Sequence, residues 1–195
     1  MILEKWKQLF SLLYRGRRIA RRYLITNGFD GALTMLGLMT GFYVSGTTEL
    51  GVAINASLGA AIALFVSGFS SAYLSETAER RQELLELEQA LLVDLEESHY
   101  GTASRYLPLL IASVNGFSPL LFSLLILSPL LLAYHGVAWF YSPFLVAIAV
   151  ALFCIFLLGV YLGKISRSFW LWAGLRTVLI AVSMVVLILL FEFRR

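Results

Sequence analysis

Hydropathy divides the chain into five apolar stretches joined by short polar links, with one long polar interval in the middle. The stretches fall near 23–45, 50–74, 106–134, 139–162 and 169–191. Each reaches the about 20 helical residues needed to cross a hydrocarbon layer of roughly 30 Å. Only Ser45-Gly46-Thr47-Thr48 and the start of the next helix separate the first two, which predicts an antiparallel helical hairpin. After Leu74 the apolar run stops, yet no proline or glycine interrupts the chain before Gly101, and the Glu, Leu, Ala, Gln and Arg that fill the interval favour helix. The second helix is therefore expected to leave the membrane as an arm within 76–105. Pro108, Pro119 and Pro129 are expected to bend or break the third span, which lipid tolerates where neighbouring helices satisfy the freed carbonyls. Trp139, Tyr141, Trp170 and Trp172 fall where interfacial aromatic belts occur.

The first 22 residues read differently. Ile2, Trp6, Leu9 and Leu13 recur at near-helical spacing among Lys5, Lys7, Arg15, Arg17 and Arg18, the pattern of an amphipathic helix lying in the membrane interface. Basic residues persist through Arg21 and Arg22 with no small-residue cleavage site after an apolar core, so a cleavable signal peptide is not expected. The fold expected is an all-α integral membrane protein: an interfacial helix over 1–22, then a five-span domain over 23–195.

Composition agrees, with 59% hydrophobic and 14% charged residues and a mean hydropathy of +0.83. The net charge of +3 comes from basic residues that flank the spans, which points to lipid headgroups and away from nucleic acid. With five spans, the N-terminal segment, Arg80, Arg81, Arg105, Lys164 and Arg167 share one side, which the positive-inside rule makes cytoplasmic. Arg194 and Arg195 fall outside and run against the rule. The single cysteine, Cys154, leaves no disulfide within one chain. The compact length points to a prokaryotic cell membrane.

Within the spans a few polar residues stand out because lipid makes them costly. Asp30 lies about two turns inside the first span, either as an ion or proton site lining a cavity or as a cap on a helix that starts later. Thr34 follows at i+4, and Met35 and Met39 add soft sulfur that serves as metal ligand or as packing. Gly37 and Gly41 form a small-xxx-small pair that lets another helix approach, within the monomer or across a dimer. Asn115, with Ser113 and Ser118, puts polar groups in the middle of the third span, to bond a neighbouring helix or to replace water around a cation. Arg176 enters the last span to about the depth of Asp30, making it a candidate ion-pair partner.

In the arm, Glu76, Glu79, Glu83 and Glu86 recur at three- and four-residue steps, and a helix continued at about 100° per residue returns Asp94 and Glu97 to the same side. Leu84, Leu91, Leu92 and Leu95 fall opposite. Like charges at these spacings repel. The stripe is either a solvated face partly neutralised by Arg80 and Arg81 or a collector of hard divalent cations, to which Glu96 and His99 add a Glu-x-x-His step.

Three pieces of sequence together resemble the vacuolar iron transporter family, five-helix carriers of ferrous iron and manganese. Asn27-Gly28-Phe29-Asp30-Gly31 with Leu33-Thr34 is similar to that family's Asp-Gly signature in the first span. Ser67-Gly68-Phe69-Ser70-Ser71-Ala72-Tyr73-Leu74-Ser75, running into Glu76 and Glu79, is similar to its small-residue second helix extending as a glutamate-bearing arm. Leu157-Leu158-Gly159, Gly163-Lys164 and Gly174-Leu175-Arg176-Thr177 are similar to its pattern around the last two spans. The resemblance implies a homodimer with the metal path between the first helices, Asp30 as a path carboxylate, arm glutamates that gather metal, and proton coupling. Where the family carries a second-span methionine this chain has Ser67, and Met35 or Met39 is the candidate replacement.

The function expected is proton-coupled export of Fe²⁺ or Mn²⁺ from the cytoplasm, with Asp30, Thr34, Met35, Met39 and Asn115 along the path. Glu76, Glu79, Glu83, Glu86, Asp94, Glu97 and His99 are the metal-gathering set. The cation is substrate, and no permanent cofactor is expected. The alternative is a non-transporting membrane module whose acidic arm binds a partner protein or a structural cation. No enzyme is expected, since the two histidines, His99 and His135, form no metalloprotease pair and the chain has no nucleophile elbow and no phosphate-binding glycine loop.

Overall fold

The structure, a computed structural model, describes the backbone of residues 2–137 and 142–192, and their side chains except those of 2–18, 99 and 192. Trp139, Tyr141, Arg194, Arg195, the apolar and basic side chains of the N-terminal segment and the imidazole of His99 lie outside the described residues. Among the described residues every regular element is helical: α1 (Ile2–Val44), α2 (Leu50–Leu91), α3 (His99–Tyr134), α4 (Pro143–Ile165) and α5 (Trp170–Glu192). Helices α2 to α5 are each long and apolar enough to cross a membrane. Their outward surfaces carry large apolar side chains such as Ile62, Val66, Trp172 and Leu190, as a multi-pass membrane protein requires.

Helix α1 runs through Arg22 as one helical element, with no turn or loop between the expected interfacial helix and the following stretch. The α1–α2 link is the expected tight turn, with Gly46 at φ 67°, a left-handed conformation that costs glycine nothing, and the Ser45 hydroxyl donating to the Phe42 carbonyl at 3.1 Å. Helix α3 passes through all three prolines without a break. Pro108 and Pro119 are fully buried, so neighbouring packing holds the helix where ring and backbone disagree.

The arm ends sooner than expected. Helix α2 stops at Leu91, Leu92 turns left-handed (φ 54°), and the next helix starts at His99. Polar side chains compete for the backbone here. The Glu88 carboxylate accepts from the Leu95 amide at 3.0 Å, Asp94 accepts from the Glu96 amide at 2.8 Å, and Ser98 caps α3 by accepting from the Tyr100 and Gly101 amides.

The chain divides into two compact units, and α1, α2 and α3 contribute to both. One comprises Ile25–Leu64 and Ser118–Arg195. Its core contains Met35, Leu36, Met39, Ile126, Leu127, Leu130 and Ile155, all fully buried and interleaved with Ala32, Ala53, Ala61, Ala147 and Ala151. Lipid tails are as apolar as leucine, so close packing past such small residues is what holds the helices together. Helices α4 and α5 close the same way: the Thr177 hydroxyl reaches the Ile155 carbonyl at 3.2 Å, at the level where Gly159 leaves no room for a side chain. The other unit comprises Met1–Leu24 and Phe65–Phe117. There α2 and α3 join through the Asn115 amide, which donates to the Gly68 carbonyl at 2.5 Å, and through the paired rings of Phe65 and Phe117.

Candidate functional site

In the first of these units, Asp30, Thr34, Gly37 and Gly41 follow at steps of four, three and four, which places them within about 60° of one another around α1. Asp30 is exposed, and Thr34, Gly37 and Gly41 are half-buried. Among the described residues a Cβ at Gly41 would meet nothing within 4 Å, and one at Gly37 only the Met184 methyl at 3.7 Å. This side of α1 is open. The side about 100–160° around the helix from Asp30 is closed, since a Cβ at Gly31 would lie 2.6 Å from the Pro119 carbonyl oxygen and one at Gly28 2.8 Å from the Phe122 ring.

Met35 and Met39 sit 140° and 180° around the helix from Asp30, taking about 100° per residue, and are fully buried in the apolar core. The structure thus separates the two sulfurs from the carboxylate that the sequence suggested they accompany. Arg176 is exposed on α5, and no ion pair among the described residues joins it to Asp30. What the sequence did not flag are the buried hydroxyls of Thr40, Ser57 and Ser123, one from each of α1, α2 and α3, which have no hydrogen-bond partner among the described residues. A lone serine or threonine in an apolar helix ordinarily bonds its own backbone, so its spacing gives no hint of this.

In the second unit the acidic face of the arm is organised around Arg80. Its guanidinium lies 3.4 Å from Glu76 and 2.5 Å from Glu83, at i−4 and i+3. Glu76 is only 4% exposed and also faces the Tyr23 hydroxyl of α1 at 3.5 Å. A carboxylate so nearly buried needs such partners. Glu79 is exposed, and Glu86 accepts from Gln82 at 2.9 Å.

Asp94 and Glu97 do not continue the stripe, because the helix has ended at Leu91. Asp94 instead holds the turn through the Glu96 amide. Asn115, 4% exposed, spends its amide on the Gly68 carbonyl, which is the helix-bonding alternative. Among the described residues no three His, Cys, Asp or Glu side chains are grouped so as to hold a metal ion within one chain. The carboxylates therefore stand as two separate features: one on the open side of α1, the others on the arm with Arg80 between two of them.

No protein-family profile and no solved structure matches the chain. The chain is similar to an uncharacterized protein of Methanocaldococcus jannaschii, with 29% identity over 174 residues that span 88% of this chain and 87% of the relative, so the likeness extends over nearly the whole helical array and is not confined to one motif.

Proposed function

We propose that the protein is a multi-pass membrane carrier of a divalent transition-metal cation, Fe²⁺ or Mn²⁺, with Asp30 on the path and the arm carboxylates gathering the ion on the cytoplasmic side. The observation that carries the reading is the open side of α1. Asp30 is exposed there in line with Thr34, Gly37 and Gly41, and an ionised carboxylate in a membrane span does not face lipid. The two glycines leave room for a second helix backbone, so the same side of a second copy covers the carboxylate and forms a polar seam with it. In this reading α1 is the fifth span and the N-terminus is cytoplasmic. A carboxylate that releases its proton when a cation arrives couples the two flows, which makes proton exchange the mode of transport.

Reconstituted vesicles test it under an imposed pH gradient, offered Fe²⁺, Mn²⁺, Co²⁺, Ca²⁺ and Mg²⁺ in turn. Uptake of Fe²⁺ or Mn²⁺ that Asp30→Ala abolishes is the expected result. Unchanged uptake in that variant removes Asp30 from the path.

A second reading is favoured by the tip of the arm, where Leu91, Leu92 and Val93 are 58%, 90% and 58% exposed beside the acidic face. In it the arm docks a partner protein and nothing is transported. Calorimetric titration separates the two: divalent binding that disappears in Glu79→Gln/Glu83→Gln/Glu86→Gln belongs to the carrier, and its absence in the unmutated chain belongs to the docking module.

A further inference from the structure

A second line of side chains on α2 follows at i, i+4 and i+8, with Tyr73, Thr77 and Arg81 about 20°, 60° and 100° around the helix from Arg80. With Ser104 and Arg105 of α3 and Glu96 of the intervening turn, they line a cavity of about 460 Å³. That volume falls within the roughly 300–1,000 Å³ typical of small-ligand sites. The cavity brings two guanidinium groups to one place against a single carboxylate.

The carboxylate is loosely held. Glu96 approaches Arg105 at 3.6 Å, with the two side chains 67% and 69% exposed, and ion pairs this exposed are weak and readily opened. Arg81 forms no ion pair among the described residues. Helix α3 begins at His99, and Gly101 of its first turn also lines the cavity, so the positive end of the helix adds to the field on that side of it. Its first amides are already taken by Ser98, so the helix contributes field and not free donors. Donors come from the guanidinium forks, which match the oxygens of a phosphate two at a time, and from the hydroxyls of Thr77, Ser104 and Tyr73.

The position of the cavity along the helices favours a lipid source for that phosphate. The apolar run of α2 ends at Leu74, and that of α3 begins just after Arg105. The cavity therefore lies where apolar surface gives way to polar on both helices. Leu74, Tyr106 and Leu109, next to it in sequence, are 68%, 55% and 48% exposed, an apolar surface for acyl chains. Basic pockets between helices at the cytoplasmic boundary are where anionic headgroups bind. We propose that this cavity binds a phosphate group, clamped by Arg81 and Arg105, and that an anionic phospholipid supplies it.

The test uses the full chain in detergent, titrated with phosphatidylglycerol, phosphatidylcholine and inorganic phosphate and read by native mass spectrometry and by thermal stabilisation. Phosphatidylglycerol should bind, and Arg81→Ala/Arg105→Ala should weaken it at least about tenfold, the loss of one or more charge-assisted contacts. Glu96→Gln removes the competing carboxylate and should tighten binding a few-fold, an outcome that a merely misfolded variant does not produce. Inorganic phosphate that binds as tightly as the lipid and depends on the same arginines keeps the phosphate site and assigns it to a free anion. Phosphatidylglycerol binding that is unchanged in the double variant, or equalled by phosphatidylcholine, overturns the proposal.

Discussion

Gly31 and Gly41 lie ten residues apart on α1 and give opposite forecasts for the same substitution. A Cβ at Gly31 would stand 2.6 Å from the Pro119 carbonyl oxygen, 2.7 Å from its Cα and 3.0 Å from its carbonyl carbon, all backbone atoms of α3 that cannot rotate away. Restoring ordinary contact moves one helix by about 0.7 Å, and a gap of that size forfeits roughly a quarter to a half of each dispersion contact that is stretched. The core beside it, with Ala32, Met35 and Leu36 fully buried, makes many such contacts. Gly31→Ala should therefore cost about 1–3 kcal/mol, the range for overpacking. Gly41→Ala meets nothing within 4 Å among the described residues, so it costs no packing against them. The helix-propensity gain of about 1 kcal/mol seen in water shrinks in lipid, where the reference state is already helical. Thermal unfolding in a single detergent, followed by tryptophan fluorescence, should place Gly31→Ala several degrees below Gly41→Ala, since about 1 kcal/mol corresponds to roughly 2–4 °C in a chain of this size. Light scattering adds the oligomeric readout: in the proposed reading a bulkier Gly41→Leu should lose the dimer while keeping its unfolding midpoint. Equal midpoints for Gly31→Ala and Gly41→Ala would falsify the close α1–α3 approach, and a dimer that survives Gly41→Leu moves the proposed seam off this side of α1.

Three further outcomes follow from the second unit. Arg80→Ala leaves Glu76, which is 4% exposed, with the Tyr23 hydroxyl at 3.5 Å in place of a cation, and should cost about 3 kcal/mol, whereas Glu83→Gln loses only a partner that is 57% exposed and should cost under about 1 kcal/mol; hydrogen exchange of the arm amides reads both. Asn115→Leu removes the donor to the Gly68 carbonyl and should lower stability by about 1 kcal/mol or somewhat more, measured by denaturation in mixed micelles, and equal stability would mean that the bond contributes nothing. Leu92→Gly relieves a left-handed residue and should raise stability by about 0.5–1 kcal/mol after the entropy of glycine is subtracted, with the thermal midpoint as the check.

Element type was legible because hydropathy and period are local properties. The helical hairpin at Ser45–Thr48 and the projection of α2 beyond Leu74 both follow from residues within a few positions of each other. Where α2 ends was not legible, because the decision at Leu92 belongs to Glu88, Asp94 and Ser98, whose side chains act on backbone amides two to seven residues away, which the acidic periodicity that includes Asp94 does not reveal. The acidic face was visible as a pattern, but its central pairing was not. Arg80 reads in the sequence as partial neutralisation of a surface, and only the burial of Glu76 against Tyr23, 53 residues distant, makes it the hub of that face. Periodicity places Asp30 and Met35 on one helix, but which side faces the core depends on Pro119 and Phe122 of another.

The division of α1 into a closed and an open side also accounts for its hydropathy. It is the one helix of the five that is not apolar enough to count as a span by composition among the described residues. Its deficit comes from Asn27, Asp30, Thr34, Thr40 and four glycines within 27–44. On the closed side Gly28 and Gly31 admit Phe122 and Pro119. On the open side Asp30, Thr34, Gly37 and Gly41 provide polarity and clearance that lipid does not reward. A helix that serves only to anchor gains from more leucine at those positions, and α4 and α5 follow that rule. In the proposed reading the low hydropathy of α1 and its role have one cause: the residues that make it a poor lipid-facing span are those a hydrated seam between two copies uses. Replacing Thr34 and Gly37 with leucine should then raise the apolar character of α1 and leave the chain inserted, while abolishing metal uptake in vesicles. Uptake that persists in that variant places the path elsewhere.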